Sequence, residues 1–166
     1  MIQNNCKLIG LTGGISTGKS TVSKILTDRG CPIIDADKIA REVVEINKPA
    51  YVKILEVFGE EILQEDKTLN RKALGKIIFN NIELREKLNQ IIHPYIFQSI
   101  KANIDKLCQT KSIIILDAPL LFEQYSLWEQ YNIKFDEIWL VYLDRNTQID
   151  RLMERDNISK EEALSK

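Results

Sequence analysis

Eight consecutive residues of this sequence have the types and the spacing needed to hold a polyphosphate. They run from Gly13 to Ser20 as glycine, four residues, and then Gly-Lys-Ser. Glycines allow the backbone to take positive φ and to approach an anion, so that successive amide N–H groups point at phosphate oxygens. Lys19 adds an ammonium group for the β- and γ-phosphate oxygens, and Ser20 adds a hydroxyl for Mg²⁺. The pattern predicts a loop that binds a nucleotide, and we call it the phosphate loop.

The residues on both sides of the phosphate loop have the pattern that such a loop requires. Before it, the apolar run 7–11 is typical of a buried parallel strand. After it, Val22, Ile25 and Leu26 have the spacing of one helical face, and Gly30 is suited to the position just beyond the helix. A helix that starts at the loop directs its positive dipole end at the phosphates. This context disfavours the alternative, a glycine turn without a ligand.

Carboxylates follow two further predicted strands. Asp35 and Asp37 follow the strand near 31–35, and Asp117 ends the apolar run 112–117. Open α/β sheets bind ligands beyond the carboxyl ends of their strands, so at least one of Asp35 and Asp37 is expected to be functional. The other can cap the next helix, because aspartate is a preferred N-cap residue. Asp117 is either a second acid on the Mg²⁺ side or a turn residue, and the sequence leaves both open.

Apolar periodicity predicts helices throughout 39–108. Separate stripes end at Gly59 and at Pro94, and Pro94 is expected in the first turn of a new helix. The stripes consist of Tyr51, Ile54, Leu55 and Phe58; Leu74, Ile77 and Ile78; Leu84, Leu88, Ile91 and Ile92; and Ile96, Ile100, Ile104 and Leu107. The lone histidine, His93, lies beside a helix start and is interpreted first as structural.

The predicted fold is α/β, a three-layer α/β/α arrangement around a parallel sheet, in one kinase domain. Residues 1–38 and 109–144 form its nucleotide-binding core, with a fourth strand near 137–143, and 39–108 form a helical acceptor-binding insertion. Residues 145–166 form a lid in which Arg151 and Arg155, four residues apart, share a helix face. The alternative for these two arginines is a surface paired with Asp150 and Glu154.

Composition excludes several other classes of protein. A net charge of -1 gives no excess of cations for nucleic acid, and no apolar run approaches a membrane span of about 20 residues. The first residues, 1–5, lack the features of a secretory signal, so we expect a cytoplasmic protein. We also expect a monomer. Cys6, Cys31 and Cys108 are far apart and odd in number, which disfavours zinc and disulfides and favours small core residues.

These motifs together resemble the dephospho-coenzyme A kinase family, from Leu8 to Lys166. The phosphate loop is shared by many nucleotide-binding proteins, whereas Asp-Ala-Asp-x-Ile-Ala-Arg combined with Pro-Leu-Leu-Phe-Glu is much more specific. The segments that carry the resemblance are Leu11–Ile15, Asp35–Arg41, Leu69–Arg71, His93–Pro94, Pro119–Glu123 and Arg155–Asp156. One departure is Ser16, where the family often has glycine.

The resemblance implies transfer of the ATP γ-phosphoryl group to the ribose 3′-hydroxyl of dephospho-coenzyme A, with ATP and Mg²⁺ as cofactors. It implies catalytic roles for Asp37 as base, for Lys19 and for Arg151. The residues expected to bind Mg²⁺ are Ser20 and Asp117. The ATP-binding residues would be Gly14, Ile15, Ser16, Thr17, Gly18, Lys19, Ser20, Thr21 and Arg155. The acceptor-binding residues would be Thr12, Asp35, Arg41, Arg71, His93, Pro119, Leu120, Leu121, Phe122 and Glu123. The strand before Asp37 is expected to neighbour the loop strand.

The two alternatives to this function are another kinase and a GTP-dependent switch. Another small-metabolite or nucleoside monophosphate kinase would share the loop, the strands and the lid, and would differ only in its acceptor. A GTP-dependent switch requires Asn-Lys-x-Asp, but the nearest stretch, Asn47–Ala50, has alanine in place of the carboxylate.

The end of the sequence carries one more expectation. Ser159 and Glu162 form a capping-box pattern, yet the sequence stops at Lys166. The resembled family continues with a fifth strand, an adenine-contacting segment and a terminal helix, so we expect a truncated form that holds adenine weakly and turns over slowly or not at all.

Overall fold

The computed structural model describes residues 6–79 and 81–165, and within them it contains one four-stranded sheet and eight α-helices. The strands are β1 (Lys7–Gly13), β2 (Ile33–Asp35), β3 (Ile113–Asp117) and β4 (Glu137–Val141). The helices are α1 (Lys19–Asp28), α2 (Ala36–Glu42), α3 (Pro49–Phe58), α4 (Arg71–Phe79), α5 (Ile82–Leu107), α6 (Tyr125–Gln130), α7 (Arg145–Asp156) and α8 (Lys160–Leu164), with a 3₁₀ turn at Glu60–Ile62.

The strand that leads into the phosphate loop lies inside the sheet. The order is β2-β3-β1-β4, and β1 pairs in parallel with both β3 and β4. Leu11 is opposite Asp117 in β3, and Thr12 is opposite Leu140 in β4. Parallel strands end at the same edge of a sheet, so this register places Asp117 beside the start of the phosphate loop.

The expectation that β2 neighbours the loop strand is wrong, because β3 lies between them. The residues of β3 explain its inner position. Ile114, Ile115 and Leu116 are all buried, as expected for a strand covered on both faces. By contrast β2 has only three residues and a mixed burial pattern, which suits the edge of the sheet.

Pro94 does not begin a new helix. It lies inside α5, a single helix of 26 residues that joins the two apolar stripes predicted as separate helices. Proline lacks the N–H that would bond to the carbonyl four residues earlier, so it weakens a helix locally. Packing compensates here, because buried residues on both sides of Pro94, Leu88 and Phe97, anchor the helix.

The chain divides into two compact units, each with its own core. The first, which we call the sheet unit, comprises residues up to Ile34 and from Ile104 onward, and the second, the helical unit, comprises Asp35–Asn103. In the sheet unit, Val22 and Leu26 of α1 pack on a core of Ile9, Leu11 and Ile115. Ile25 was predicted to lie on the same face of α1, but it is exposed. The core of the helical unit is formed by Val44, Ala50, Tyr51, Ile54, Phe58, Ile62, Leu69, Leu74 and Leu88.

The ends of three helices follow their predicted sequence signals. Gly30 takes φ 81 after α1 and donates to Thr27 O, while Cys31 N donates to Leu26 O. These two bonds form the Schellman pattern that glycine favours. Gly59 ends α3, and Ser159 and Glu162 form both bonds of a capping box at α8.

The prediction made for the cysteines is wrong for two of the three. Cys6 and Cys108 form a disulfide, with Cα atoms 5.4 Å apart, whereas Cys31 is a free thiol packed on the sheet core as expected. The pair was missed because the two residues are 102 positions apart, and only the fold brings the end of α5 to the start of β1.

Among the described residues, no helix is both long and apolar enough to cross a membrane. The prediction about a secretory signal falls on residues 1–5, which lie outside the described ranges.

Candidate active site

The phosphate loop is a tight turn between β1 and α1. Gly18 is the N-cap of α1 in the left-handed conformation, with φ 94 and ψ 16, and Lys19 is the first helical residue. Thr17 is buried, and its hydroxyl donates to Gly14 O at 2.9 Å. The loop is therefore closed on itself, with its helix N-terminus directed at the position where phosphates are expected.

The loop glycines have different physical roles. Among them only Gly18 has positive φ, and Ser16 shares that conformation with φ 57. Gly13 is instead required for close packing, because a Cβ there would lie 2.8 Å from Thr17 Oγ1 and 2.8 Å from Val141 O. The predicted reason, positive φ, thus holds for one glycine only. The positive φ of Ser16 also explains why glycine would suit position 16, because a side chain in this conformation has a steric cost.

Lys19 is held by a carboxylate inside the sheet unit. Its ammonium group donates to Asp117 Oδ1 in an ion pair, with 16% and 9% of the two side chains exposed. The Ser23 hydroxyl, one turn further along α1, donates to Asp117 Oδ2 at 2.6 Å. Asp117 is thus neither a simple turn residue nor a free ligand, and it joins the ends of β3 and α1. Ser23 was missed because no loop motif includes it.

Helix α7 brings one arginine to the phosphate loop. Arg151 Nη1 lies 3.6 Å from the position that a Cβ on Gly18 would occupy. Arg151 is exposed and forms no ion pair with a described residue, so the predicted alternative of a salt-bridged surface does not describe it. Its guanidinium is therefore free to pair with phosphate oxygens.

Gln148 is a second α7 residue at the loop, and the sequence did not single it out. Its Oε1 lies 3.4 Å from the position of a Cβ on Gly14, while its Nε2 donates to Leu143 O at 2.6 Å. Gln148 and Arg151 are three residues apart and share a face of α7, which is the signal that could have found it.

Arg155 points to a local partner instead of the loop. Its Nε and Nη2 donate to the two carboxylate oxygens of Asp156 at 2.8 and 3.3 Å. This bidentate pair, and not the predicted pairing with Asp150 or Glu154, raises the pKa of the Arg155 guanidinium. The start of α7 is fixed at Asp144, which accepts bonds from Thr147 N and Thr147 Oγ1 that lower the pKa of its carboxyl.

The segment after β3 returns to the strand that carries the phosphate loop. Ala118 N donates to Leu11 O at 3.0 Å, and the buried Thr12 hydroxyl donates to Pro119 O at 3.1 Å. Beyond this anchor, Leu121 is fully buried, whereas Leu120, Phe122 and Glu123 are exposed. Thr12 and the segment Pro119–Glu123 therefore lie together, as their common predicted role requires.

In the helical unit, Asp35 and Asp37 have different environments. Asp35 is the N-cap of α2, and its carboxylate accepts a bond from Lys38 N at 2.9 Å. Asp37 is exposed in the first turn of α2, and Arg41 is in its last turn. The capping role predicted for one of the two carboxylates belongs to Asp35, which leaves the Asp37 side chain available for chemistry.

A cavity of ≈ 730 Å³ lies within the helical unit and gathers two of the predicted acceptor-binding residues. Arg41 and Arg71 both line it, and Lys72 adds a third cation that the sequence did not single out. His93 is not among the described residues that line it. That side chain is half-buried on α5 with an edge-on contact to Phe97, at 6.0 Å between ring centroids. Burial disfavours the charged imidazole and lowers the pKa of His93.

The residues of the sheet unit can serve Mg²⁺ only with help from a substrate. Ser20 is exposed in the first turn of α1, and Asp117 is already bonded to Lys19 and Ser23. Across the described part of the chain, no group of three or more His, Cys, Asp or Glu residues could hold a metal ion. This donor set fits Mg²⁺, which usually combines one or two protein ligands with water and substrate phosphates.

Comparison with known proteins agrees with this arrangement. A family model for dephospho-CoA kinase matches residues 7–166. A dephospho-CoA kinase of Shouchella clausii is 47% identical over 156 residues, which cover 93% of this chain and 77% of that protein. One of Bacillus cereus is 46% identical over 160 residues, covering 96% of this chain and 78% of that protein.

Solved structures show the same likeness at lower identity. A protein of Thermus thermophilus superposes with a TM-score of 0.78 at 28% identity, covering 96% of this chain and 78% of the other. A dephospho-CoA kinase of Campylobacter jejuni gives a TM-score of 0.65 at 26% identity, covering 97% and 78%. The α/β fold with its phosphate loop is therefore that of these kinases, and the chain belongs to the dephospho-CoA kinase family.

Proposed function

We propose that this chain transfers the γ-phosphoryl group of ATP to the ribose 3′-hydroxyl of dephospho-CoA and so forms CoA. The acceptor follows from membership in the family. The observation that supports the chemistry best is the closed phosphate loop, with the Lys19 ammonium at one end and the Arg151 guanidinium beside Gly18. Phosphoryl transfer depends mainly on positioning and charge neutralisation, and these groups supply both.

Within this proposal, the loop residues and α7 bind the polyphosphate of ATP. Loop amides and the α1 N-terminus hold phosphate oxygens, and Lys19 neutralises charge on the β- and γ-phosphates. Arg151 pairs with the transferring group through its planar fork, and Gln148 adds a polar contact near Gly14. Ser20 would hold Mg²⁺, with Asp117 as a second, predicted ligand, and the ion would offset the negative charge of the phosphates.

Asp37 is the proposed base for the acceptor hydroxyl. Its carboxylate is exposed and, unlike that of Asp35, is not used as a helix cap. A carboxylate within hydrogen-bond reach of the 3′-hydroxyl can accept its proton as the bond to phosphorus forms. The helical unit would then serve as the acceptor-binding part and 145–166 as the lid. Cytoplasmic location and a monomeric state remain predictions.

The proposal is tested by ATP consumption with and without dephospho-CoA, beside a panel of nucleoside monophosphates. ATP should be consumed in the presence of dephospho-CoA and should not be consumed with the other acceptors. Consumption with another acceptor and none with dephospho-CoA would contradict the proposal.

A pair of lysine variants on α1 tests the role of the phosphate loop in the same assay. Lys19→Ala should lower turnover by about 10²–10³, as expected for loss of one preorganised charge partner. Lys24→Ala is the matched control, because Lys24 is exposed on the same helix and, among the residues that the structure describes, is paired only with Asp28. Equal turnover in both variants would show that Lys19 of the phosphate loop has no role in the reaction.

A further inference from the structure

The carboxylate of Asp117 is shared by two side chains of α1. Lys19 donates to Oδ1 in the ion pair, and the Ser23 hydroxyl donates to Oδ2 at 2.6 Å. Lys19 and Ser23 are four residues apart and therefore share one face of the helix. Residues 6–79 and 81–165 contain no third donor to this carboxylate, and only 9% of the Asp117 side chain is exposed. The charge of Asp117 is therefore balanced mainly by these two groups.

Asp117 and the phosphates of ATP compete for the same ammonium group. Lys19 is the residue assigned to the β- and γ-phosphate oxygens, yet its side chain is only 16% exposed and is bonded to Asp117. An ammonium group has three donors, but its single charge cannot fully offset both a buried carboxylate and a polyphosphate. The apparent affinity for a polyphosphate is therefore lowered by the strength of the ion pair.

The Ser23 hydroxyl determines how costly the release of Lys19 is. A buried carboxylate that loses its cation keeps an uncompensated charge, which is strongly unfavourable. Ser23 lies one turn further along α1 than Lys19, so its bond to Oδ2 does not depend on the position of the lysine side chain. A hydrogen bond to an ionised acceptor is among the stronger ones. Ser23 therefore stabilises the Asp117 carboxylate in the arrangement in which Lys19 has turned to a phosphate.

We propose that Ser23 is a positioning residue for the reaction, which allows Asp117 to hold Lys19 and then to release it to the polyphosphate of ATP. The hydroxyl occupies Oδ2, so that Oδ1 faces Lys19, and it offsets part of the carboxylate charge after the release. The inference rests on the proposed function in one respect, that the phosphate loop binds ATP, and it does not depend on the identity of the acceptor.

Two variants that break the same hydrogen bond are expected to have opposite effects on binding. Asp117→Asn removes the competitor for Lys19, so a polyphosphate without Mg²⁺ should bind about 10- to 100-fold more tightly, the value of one charge-assisted bond. Ser23→Ala keeps the competitor and removes the group that offsets its charge. Lys19 is then held more strongly, and the same ligand should bind about 10-fold more weakly. A merely structural role of the bond would weaken binding in both variants.

The presence of Mg²⁺ should reduce both effects. The Asp117 carboxylate then has a second cation to pair with when Lys19 leaves, so the loss in Ser23→Ala should be smaller than without the ion. Coupling between two bound ligands is reciprocal. Asp117→Asn should therefore also reduce the factor by which Mg²⁺ tightens the binding of ATP.

The test is calorimetric titration of the whole chain with ATP and with inorganic tripolyphosphate, each with Mg²⁺ and with a chelator, and without any acceptor. Tripolyphosphate has no adenine, so a change that is common to both ligands concerns the phosphates. Ser23→Thr keeps the hydroxyl and should bind both ligands as the wild type does. Thr27→Ala is the matched control, because it removes a hydroxyl from the next turn of α1 that donates to Ser23 O at 2.9 Å and not to Asp117.

A thermal melt of each variant checks its folding. Ser23→Cys keeps a weaker donor of similar size and should show a smaller loss than Ser23→Ala, so it carries the test if Ser23→Ala does not fold.

The outcomes separate this role from the proposed function. Weaker binding in both Ser23→Ala and Asp117→Asn, or unchanged binding in Ser23→Ala, overturns the role of Ser23. A wild type that binds neither ligand overturns the proposed function together with this inference. A wild type that shows the expected binding pattern but does not phosphorylate dephospho-CoA overturns the proposed acceptor alone and supports the role of Ser23.

Discussion

Replacing Asp117 with asparagine tests the ion pair that joins β3 to the phosphate loop. The carboxylate accepts from Lys19 and from Ser23, and its side chain is only 9% exposed. Asp117→Asn keeps the size and removes the charge, so that the Lys19 ammonium is left without its partner. Breaking one partner of a buried pair costs about 3–5 kcal/mol of the free energy of unfolding. Since Lys19 remains 16% exposed and can turn toward water, we expect the lower end, about 3 kcal/mol.

The assay is urea denaturation at neutral pH, with Ser23→Ala and Lys19→Met as companion variants. Ser23→Ala removes one bond to a charged acceptor and should cost about 1.5–3 kcal/mol. The double variant Lys19→Met/Asp117→Asn leaves no uncompensated charge, so its cost should be smaller than the sum of the two single costs. The reasoning is refuted if Asp117→Asn lies within about 0.5 kcal/mol of the wild type, which is the range of an unremarkable surface change. Additive costs in the double variant would refute it as well.

Three further predictions concern single positions. Ser16→Gly should raise the free energy of unfolding by about 1 kcal/mol, because it removes a side chain at φ 57 and a buried hydroxyl without a hydrogen-bond partner. Ser16→Ala should gain less in the same urea assay, and a destabilised Ser16→Gly would contradict the strain argument. Peptide mapping without reductant should find Cys6 linked to Cys108 and Cys31 alkylated, and three free thiols would contradict this. Reduction of the disulfide should lower the free energy of unfolding by about 4–5 kcal/mol, because the unfolded chain then gains loop entropy. The pKa of the His93 imidazole, measured by NMR, should lie below its usual value of 6.5. The free energy of unfolding should then fall as the pH drops through 6.5, because the unfolded chain binds that proton more strongly. A titration midpoint at or above 6.5 would contradict this.

The sequence predicted those parts of the site that depend on local patterns. The phosphate loop, the helix that follows it, an aspartate cap at one of Asp35 and Asp37, and the capping box at Ser159 all follow from residue types at short spacing. These features depend on backbone conformation and hydrogen bonds within a few residues, so no knowledge of the fold is needed to find them.

What the sequence missed depends on contacts between distant positions. The place of β2 at the sheet edge depends on competition with the more apolar β3 for the inner position. Ser23 and Gln148 contribute to the site only through the packing of α1 against β3 and of α7 near the loop. The Cys6–Cys108 disulfide and the unbroken helix through Pro94 likewise depend on tertiary packing that outweighs local preference.

The most direct measurement of the central claim is identification of the product that the whole chain forms from ATP and dephospho-CoA with Mg²⁺. Phosphorus NMR and mass spectrometry should find CoA, with one new phosphomonoester on the ribose 3′-oxygen and one ADP per turnover. The same mixture with the Lys19→Ala variant should form it about 10²–10³ times more slowly. ADP without a phosphorylated acceptor, or a phosphate at any other hydroxyl, would contradict the account.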